Sequence, residues 1–201
     1  MASKITKFVL LVVAVCCLLG AILLEVFPAN TFYNKLLGQP ELKGFQAPFV
    51  LNNYVMKNDL GEDVSWQSFK NKPLYITTGF TICSSTCPIS MAFYKRLREE
   101  IGDSAYLSLF SIDPHNDTPS RLASYLKTFD SNIIGLQVIN DIDFRRILAE
   151  LKQTVTDLPD STDIMHSDYI YLLHPKLKGV VIYTEQDLAS ILYDYQLLSE
   201  L

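Results

Sequence analysis

The strongest constraint on the fold is an alternation of strand-like and helix-like segments from residue 73 onward. Apolar runs rich in β-branched and aromatic residues lie at 73–80, 105–112, 136–139, 167–173 and 179–184. Segments with apolar residues at helical spacing lie at 88–101, 118–129, 141–155 and 185–201. Two shorter strand-like runs, 49–55 and 63–69, flank a turn signal at 58–61. This alternation predicts a three-layer α/β fold, with helices covering both faces of one sheet.

The N-terminal segment is strongly apolar. Phe8–Leu24 contains no charged residue, and with the residues up to Phe27 it reaches the roughly 20 residues that a helix needs to cross a bilayer. A cleaved signal peptide is the competing interpretation, but no small-x-small cleavage site follows cleanly. Val15 before Cys16 also fits a lipoprotein signal poorly. We therefore expect an uncleaved N-terminal transmembrane helix.

The predicted organisation is a membrane anchor at 1–27, a tether at 28–44 and one domain at 45–201. Lys4 and Lys7 precede the apolar run, so the N-terminal tail should stay in the cytoplasm. A mitochondrial leader would be longer and rich in arginine and serine. These features predict a single-pass protein of the bacterial inner membrane whose domain faces the periplasm.

The charge distribution argues against a nucleic-acid partner. Residues 1–44 carry four lysines and two glutamates, which leaves a formal charge of −7 for residues 45–201 within a chain of net charge −5. An acidic domain without a basic run does not attract a phosphate backbone.

The cysteines point to a small chemical site. The chain has four, and Cys16 and Cys17 lie inside the apolar run as ordinary membrane-buried residues, so only Cys83 and Cys87 are available to the domain. Three residues separate them, and Pro88 is expected to begin a helix whose N-terminus would lower a nearby thiol pKa. By itself this motif allows a metal site, a redox pair or a structural disulfide.

Two thiolates favour Cu(I) or zinc, but a third donor is needed to enclose an ion. The chain has three histidines: His115, His166 and His174. His166 precedes a strand-like run, and His115 follows another. His174 lies eight residues beyond His166, roughly 26 Å along a strand, so these two cannot share an ion. We expect His174 to lie in a turn.

Three motifs in this order, "GFTICSSTCP", "SIDPHNDTP" and "HSDYIYLLHP", resemble the Sco proteins (synthesis of cytochrome c oxidase). The resemblance extends from about Phe45 to the C-terminus. It implies a thioredoxin-like fold and a copper site formed by Cys83, Cys87 and His166. It also implies delivery of copper to the dinuclear copper site of cytochrome c oxidase. The bound ion is expected to be Cu(I), with Cu(II) as a second candidate.

A thioredoxin-like sheet would place the strand at 73–80 beside a parallel strand at 105–112 and an antiparallel strand at 167–173. Cys83, Cys87, Asp113 and His166 would then lie at one edge, where open α/β sheets bind ligands. The expected role is binding and delivery without turnover. The expected partners are the oxidase's copper-site subunit, other copper chaperones or thiol reductants, and the membrane.

The chain departs from the family pattern at several positions, and two rival functions fit the same residues. Serines and a threonine stand between the cysteines where a carboxylate is common, Met165 stands where an aspartate often precedes the histidine, and Asn116 stands where an arginine is common. The main alternative is a thiol-disulfide reductase in which Cys83 and Cys87 are the attacking and resolving thiols. A redox or copper sensor is a third interpretation.

Overall fold

The computed structural model describes residues 12–15, 41–50, 54–83, 87–157 and 164–200. It divides into two compact units, Met1–Glu41 and Leu42–Leu201. In the first unit, residues 12–15 are helical. Within the described ranges, no helix combines the length and apolar character needed to span a bilayer. Most of the predicted anchor and tether lies outside those ranges, and the predicted domain boundaries stay predictions.

The second unit contains one large sheet, four α-helices and a small two-stranded sheet, all counted over its described residues. The strands are β1 (Phe45–Ala47), β2 (Met56–Asn58), β3 (Asp63–Val64), β4 (Leu74–Gly79), β5 (Tyr106–Ser111), β6 (Ile134–Gln137), β7 (Val155–Asp157), β8 (Ile164–His166), β9 (Ile170–Leu173) and β10 (Val180–Tyr183). The helices are α1 (Cys87–Ile101), α2 (Pro119–Leu126), α3 (Asp141–Glu150) and α4 (Leu188–Glu200). Short 3-10 turns span Trp66–Phe69 and Gly102–Ser104.

The large sheet has the order β1-β10-β9-β4-β5-β6-β2-β3. β4 is parallel to β5, β5 is parallel to β6, and β9 is antiparallel to β4. The predicted neighbours of β4 are therefore confirmed. The carboxyl ends of β4, β5 and β6 and the start of β9 all lie at one edge, called here the carboxyl edge.

Both faces of the sheet are covered, as the three-layer prediction requires. Side chains alternate along β4, so Tyr75 packs against residues of α1, α2 and α4. Leu74 and Ile76 point to the opposite core, which α3 closes with Ile147 and Leu148. All six residues of β4 are buried. This burial on both faces explains why the strand reads as a continuous apolar run rather than an alternating one.

The helix starts follow local sequence. Thr118 accepts a hydrogen bond from the Arg121 amide, and Pro119 occupies the first turn of α2, where its missing N–H is not needed. Asn140 accepts from the amides of Ile142 and Asp143 at 3.0 Å each and so begins α3. These caps place the first turns of both helices at the carboxyl edge.

The two early strand predictions are wrong in part. The described residues of 49–55 are not strand, and 63–69 is strand only at Asp63–Val64. Ser65 begins a helical turn, in which a capping box with Ser68 satisfies backbone donors. Trp66 and Phe69 are three residues apart, so they lie on the same face of this 3-10 turn, and both are buried.

Candidate metal site

The two cysteines flank the start of α1 at the carboxyl edge. Both are thiols rather than a disulfide, with residue exposures of 7% for Cys83 and 2% for Cys87. The Cys83 amide donates to the Phe80 carbonyl at 3.2 Å, which turns the chain directly after β4. Cys87 is the first residue of α1, and its amide donates to Cys83 Sγ at 3.4 Å. A helix N-terminus thus faces the first sulfur, which favours negative charge there.

His166 reaches the same edge from the end of β8. Its side chain is 3% exposed, and Nε2 lies 4.0 Å from Cys87 Sγ. Nδ1 lies 3.2 Å from the carbonyl oxygen of Ser167, which can only accept, so the proton belongs on Nδ1. The lone pair of Nε2 is then directed toward the thiols. This is the tautomer that a metal ligand needs.

The Ser167 carbonyl that orients His166 is itself held by two other donors. Gln153 Nε2 donates to it at 3.0 Å, and Thr78 Oγ1 donates at 3.3 Å. The Tyr171 hydroxyl donates to Gln153 Oε1 and fixes the amide. The imidazole is therefore oriented through a buried network, as metal-binding histidines usually are. No pattern in the sequence distinguishes Gln153 from other polar residues.

The donors suit a soft metal ion. Thiolate and imidazole bonds to a d10 ion measure about 2.3 and 2.0 Å, so one ion fits between Cys87 Sγ and His166 Nε2 with a bent angle. Within the described residues, however, no three His, Cys, Asp or Glu side chains already stand at metal-binding spacing. Cys83, Cys87 and His166 would have to draw together around an ion, and their role as ligands stays a prediction.

Burial governs the protonation of the second thiol. Desolvation raises the pKa of Cys87 well above its ordinary value, and a hydrogen bond with Cys83 adds to the effect. The helix start therefore does not by itself make Cys87 a thiolate, contrary to the expectation from Pro88. A bound cation would compensate the negative charge of the buried Cys87 thiolate and so offset its desolvation. Ion binding and proton release are therefore coupled.

Asp117 is a site-supporting residue that the sequence did not single out. Its side chain is fully buried, and it accepts from the Thr81 amide at 3.1 and 3.2 Å and from the Thr81 hydroxyl. It also accepts from Ser111 Oγ at 2.7 Å. Thr81 lies two residues before Cys83, so Asp117 ties the cysteine segment to the loop after β5. Its sequence context, Asp-Thr-Pro, is typical of a turn and a helix start and does not by itself indicate a buried acceptor.

The other predicted residues have separate roles. Asp113 receives two hydrogen bonds from Asn116 Nδ2, at 2.9 and 3.0 Å. His115 Nε2 lies 3.4 Å from the Asp141 carboxylate, and both side chains are exposed. His174 follows β9 at the opposite edge of the sheet, where its carbonyl accepts from Leu177 in a turn, as predicted. Burial lowers the pKa of His174 from its ordinary value.

A known protein family matches this chain. A family model described as SCO1/SenC matches residues 43–194. The chain belongs to the SCO1/SenC family. The match spans most of the chain and includes both cysteines and His166. The resemblance inferred from the three motifs is confirmed.

Individual members of the SCO1/SenC family match across most of this chain. Protein sco1 of Schizosaccharomyces pombe is 28% identical over 174 residues, covering 80% of this chain and 63% of that protein. This chain therefore matches less than two thirds of that relative's length.

Solved structures establish the thioredoxin-like fold. ScoI of Bradyrhizobium japonicum, with copper bound, is 24% identical with a TM-score of 0.61, covering 75% of this chain and 99% of that one. BsSco is a member of the Sco family of cytochrome c oxidase assembly proteins for which a disulfide switch is described. It is 21% identical to this chain with a TM-score of 0.65, and the match covers 79% of this chain and 98% of BsSco.

Proposed function

We propose that this SCO1/SenC protein is a membrane-tethered metallochaperone that binds copper through Cys83, Cys87 and His166. It would pass the ion to the dinuclear copper site of cytochrome c oxidase. The observation that carries the proposal is the approach of His166 Nε2 to Cys87 Sγ at 4.0 Å, with the histidine held in the ligating tautomer. The copper-bound relative and the oxidase assembly role described for BsSco support it.

The site is suited to transfer because it would offer three donors, two thiolates and one imidazole, rather than four. A closed four-ligand site resists exchange, whereas a three-ligand site leaves a position for an incoming thiol or imidazole. The ion could then be handed over by successive replacement of ligands. Cys83 and Cys87 are both buried, so the acceptor would have to reach sulfur atoms that are largely shielded from solvent.

Membrane attachment through residues 1–27 and a periplasmic position of the domain belong to the same proposal. They are supported by the uncharged run Phe8–Leu24 and by Lys4 and Lys7 before it. In an oxidising compartment the two thiols would have to be kept reduced to bind copper. Thiol reductants are therefore expected partners alongside the oxidase subunit.

Anaerobic titration of the reduced full-length chain in detergent with Cu(I) tests the ligand set. His166→Ala should weaken binding and change the absorption spectrum of the loaded protein. His174→Ala is the matched control, because His174 lies at the opposite edge of the sheet, and it should leave both properties unchanged. If His115→Ala weakens binding and His166→Ala does not, the histidine has been assigned wrongly.

A thiol-disulfide reductase remains the second candidate. Two buried thiols separated by three residues, one of them bonded to a helix N–H, are compatible with thiolate attack and resolution. Disulfide exchange requires Cys83 and Cys87 but has no need of His166. The network that orients His166 therefore favours copper binding.

A further inference from the structure

Exposed isoleucine side chains are concentrated at the carboxyl edge. Ile82 follows β4 and is 39% exposed, Ile89 lies in the first turn of α1 at 66%, Ile139 follows β6 at 59%, and Ile142 lies in the first turn of α3 at 56%. Among the described residues, every exposed isoleucine belongs to this group. Single exposed apolar residues need no explanation, but a group confined to one edge marks an interaction surface. We call these four residues the isoleucine rim.

The isoleucine rim brackets the candidate metal site. Ile82 is adjacent to Cys83 in sequence, and Ile89 lies two residues after Cys87. β5 separates β4 from β6, so the ends of these two strands, which Ile82 and Ile139 follow, are roughly 10 Å apart. Ile89 and Ile142 lie in helices that cover opposite faces of the sheet. The loop after β5 fills the interval and is joined to the start of α3 by the His115–Asp141 pair. A protein that reaches the thiols therefore contacts the rim.

The loops around the rim are acidic. Segments 80–89, 112–119, 138–144 and 164–169 contain none of the chain's 17 lysines and arginines. They contain five aspartates: Asp113, Asp117, Asp141, Asp143 and Asp168. Of these only Asp117 is fully buried. Three arginines border these segments. Arg121 Nη1 donates to the Asn116 carbonyl at 3.0 Å, and Arg145 and Arg146 follow segment 138–144, where Arg146 Nη1 lies 3.8 Å from Asp143 Oδ1.

We infer that the isoleucine rim is the docking surface for the protein that exchanges copper with this site, and that this partner presents an apolar patch bordered by lysine or arginine. The inference rests on the proposed function and specifies the partner's chemistry. Opposite charges around an apolar contact steer association and fix orientation. A second copy of this chain would bring aspartates against aspartates, and an anionic membrane would be repelled in the same way.

The test measures copper transfer by the full-length chain in detergent. The Cu(I)-loaded protein is mixed anaerobically with the purified copper-site domain of the oxidase subunit, and the transfer rate is followed by stopped flow. The double variant Ile89→Ser with Ile142→Ser should slow second-order transfer about tenfold, because two apolar contacts with the docked partner would be lost. Added salt should slow transfer by the wild type.

Leu60→Ser is the matched control. Leu60 is 75% exposed and follows β2, which is antiparallel to β6, so it lies at the opposite edge. It should change the transfer rate less than about twofold, as expected for a substitution outside the interface. Cu(I) affinity, measured by competition with a small chelator, should be the same in all three proteins, because none of the substitutions removes a proposed ligand.

The outcomes separate the two proposals. Absence of Cu(I) binding by the wild type would overturn both. Normal binding with wild-type transfer by the double variant would overturn the docking inference alone. Faster copper transfer on addition of salt would also overturn the docking inference. So would a wild-type dimer that dissociates in the double variant, or binding of the wild type to phosphatidylglycerol vesicles that the double variant loses.

Discussion

Replacing the Asp117 carboxylate tests whether the loop after β5 holds the cysteine segment in place. In Asp117→Asn the side chain keeps its size and one oxygen, but the second oxygen becomes an NH2 group. The retained oxygen can still accept from the Thr81 amide and hydroxyl. The new NH2 faces Ser111 Oγ, which must then rotate from donating to accepting. Asp117→Ala removes both acceptors and leaves the two Thr81 donors and the buried Ser111 hydroxyl without this partner.

The hydrogen bonds to Asp117 determine how much stability each substitution should remove. A bond to a charged group contributes about 1.5–3 kcal/mol, and part of that is recovered when a hydroxyl turns to another acceptor. We expect Asp117→Asn to lower the free energy of unfolding by about 1–3 kcal/mol and Asp117→Ala by about 3–5 kcal/mol. Because Thr81 lies two residues before Cys83, loss of the tether should also weaken Cu(I) binding by roughly tenfold or more.

Urea unfolding of the full-length chain, followed by fluorescence, measures the stability. Trp66 is the chain's single tryptophan and is 2% exposed, so its emission should report the loss of the core. Asp63→Asn is the matched control, because its ion pair with Lys57 is exposed and should contribute less than about 1 kcal/mol. If Asp117→Asn matches the control in both stability and Cu(I) affinity, the tether has no energetic role. Lost stability with unchanged affinity would make Asp117 purely structural.

Three further predictions concern function, topology and pH. Cells in which His166→Ala is the only copy should lose cytochrome c oxidase activity at limiting copper and regain it with excess copper. Normal oxidase activity in these cells, together with loss of oxidase activity in cells carrying Cys83→Ser, would favour the reductase. A phosphatase fused after Leu201 should be active and a fluorescent reporter that matures only in the cytoplasm should be dark, whereas the reverse pattern would place the domain in the cytoplasm. Burial raises the pKa of Tyr75 and Tyr183, so their contribution to stability is complete below the unfolded value near pH 10 and is lost above it. Urea unfolding should then show stability falling from about pH 10 upward, by about 1.4 kcal/mol per pH unit for each tyrosine, and a flat profile would contradict this.

The central part of the fold was predictable because burial on both faces leaves a clear signal. The strands β4, β5, β9 and β10 read as apolar runs, and the caps of α2 and α3 mark the edge on which the site lies. The short strands were not predictable. β1, β7 and β8 have three residues each, too few for a period to show, and their pairing depends on partners distant in sequence.

The candidate ligands were identifiable because few residue types can bind a soft metal and the chain has only a handful of them. Cys83, Cys87 and His166 meet at one edge because the strand order brings β4 and β9 side by side. The supporting residues were not identifiable. Asp117 acts through a contact with Thr81 across 36 positions of sequence, and Gln153 acts through the Ser167 carbonyl. Neither contact leaves a local pattern.

The start and the end of the second unit are fastened to each other. The amides of Lys43 and Gly44 donate to the Asp194 carboxylate of α4 at 2.7 and 2.9 Å. The six residues after Asp194, up to Glu200, add only about 9 Å of helix. A short glycine-serine linker could therefore join the two ends, and new ends could be opened at the exposed turn between β2 and β3. Circular permutation would move the residue that joins the domain to the proposed membrane anchor from the carboxyl edge to the opposite edge of the sheet. The positions of Cys83 and Cys87 in the fold would not change.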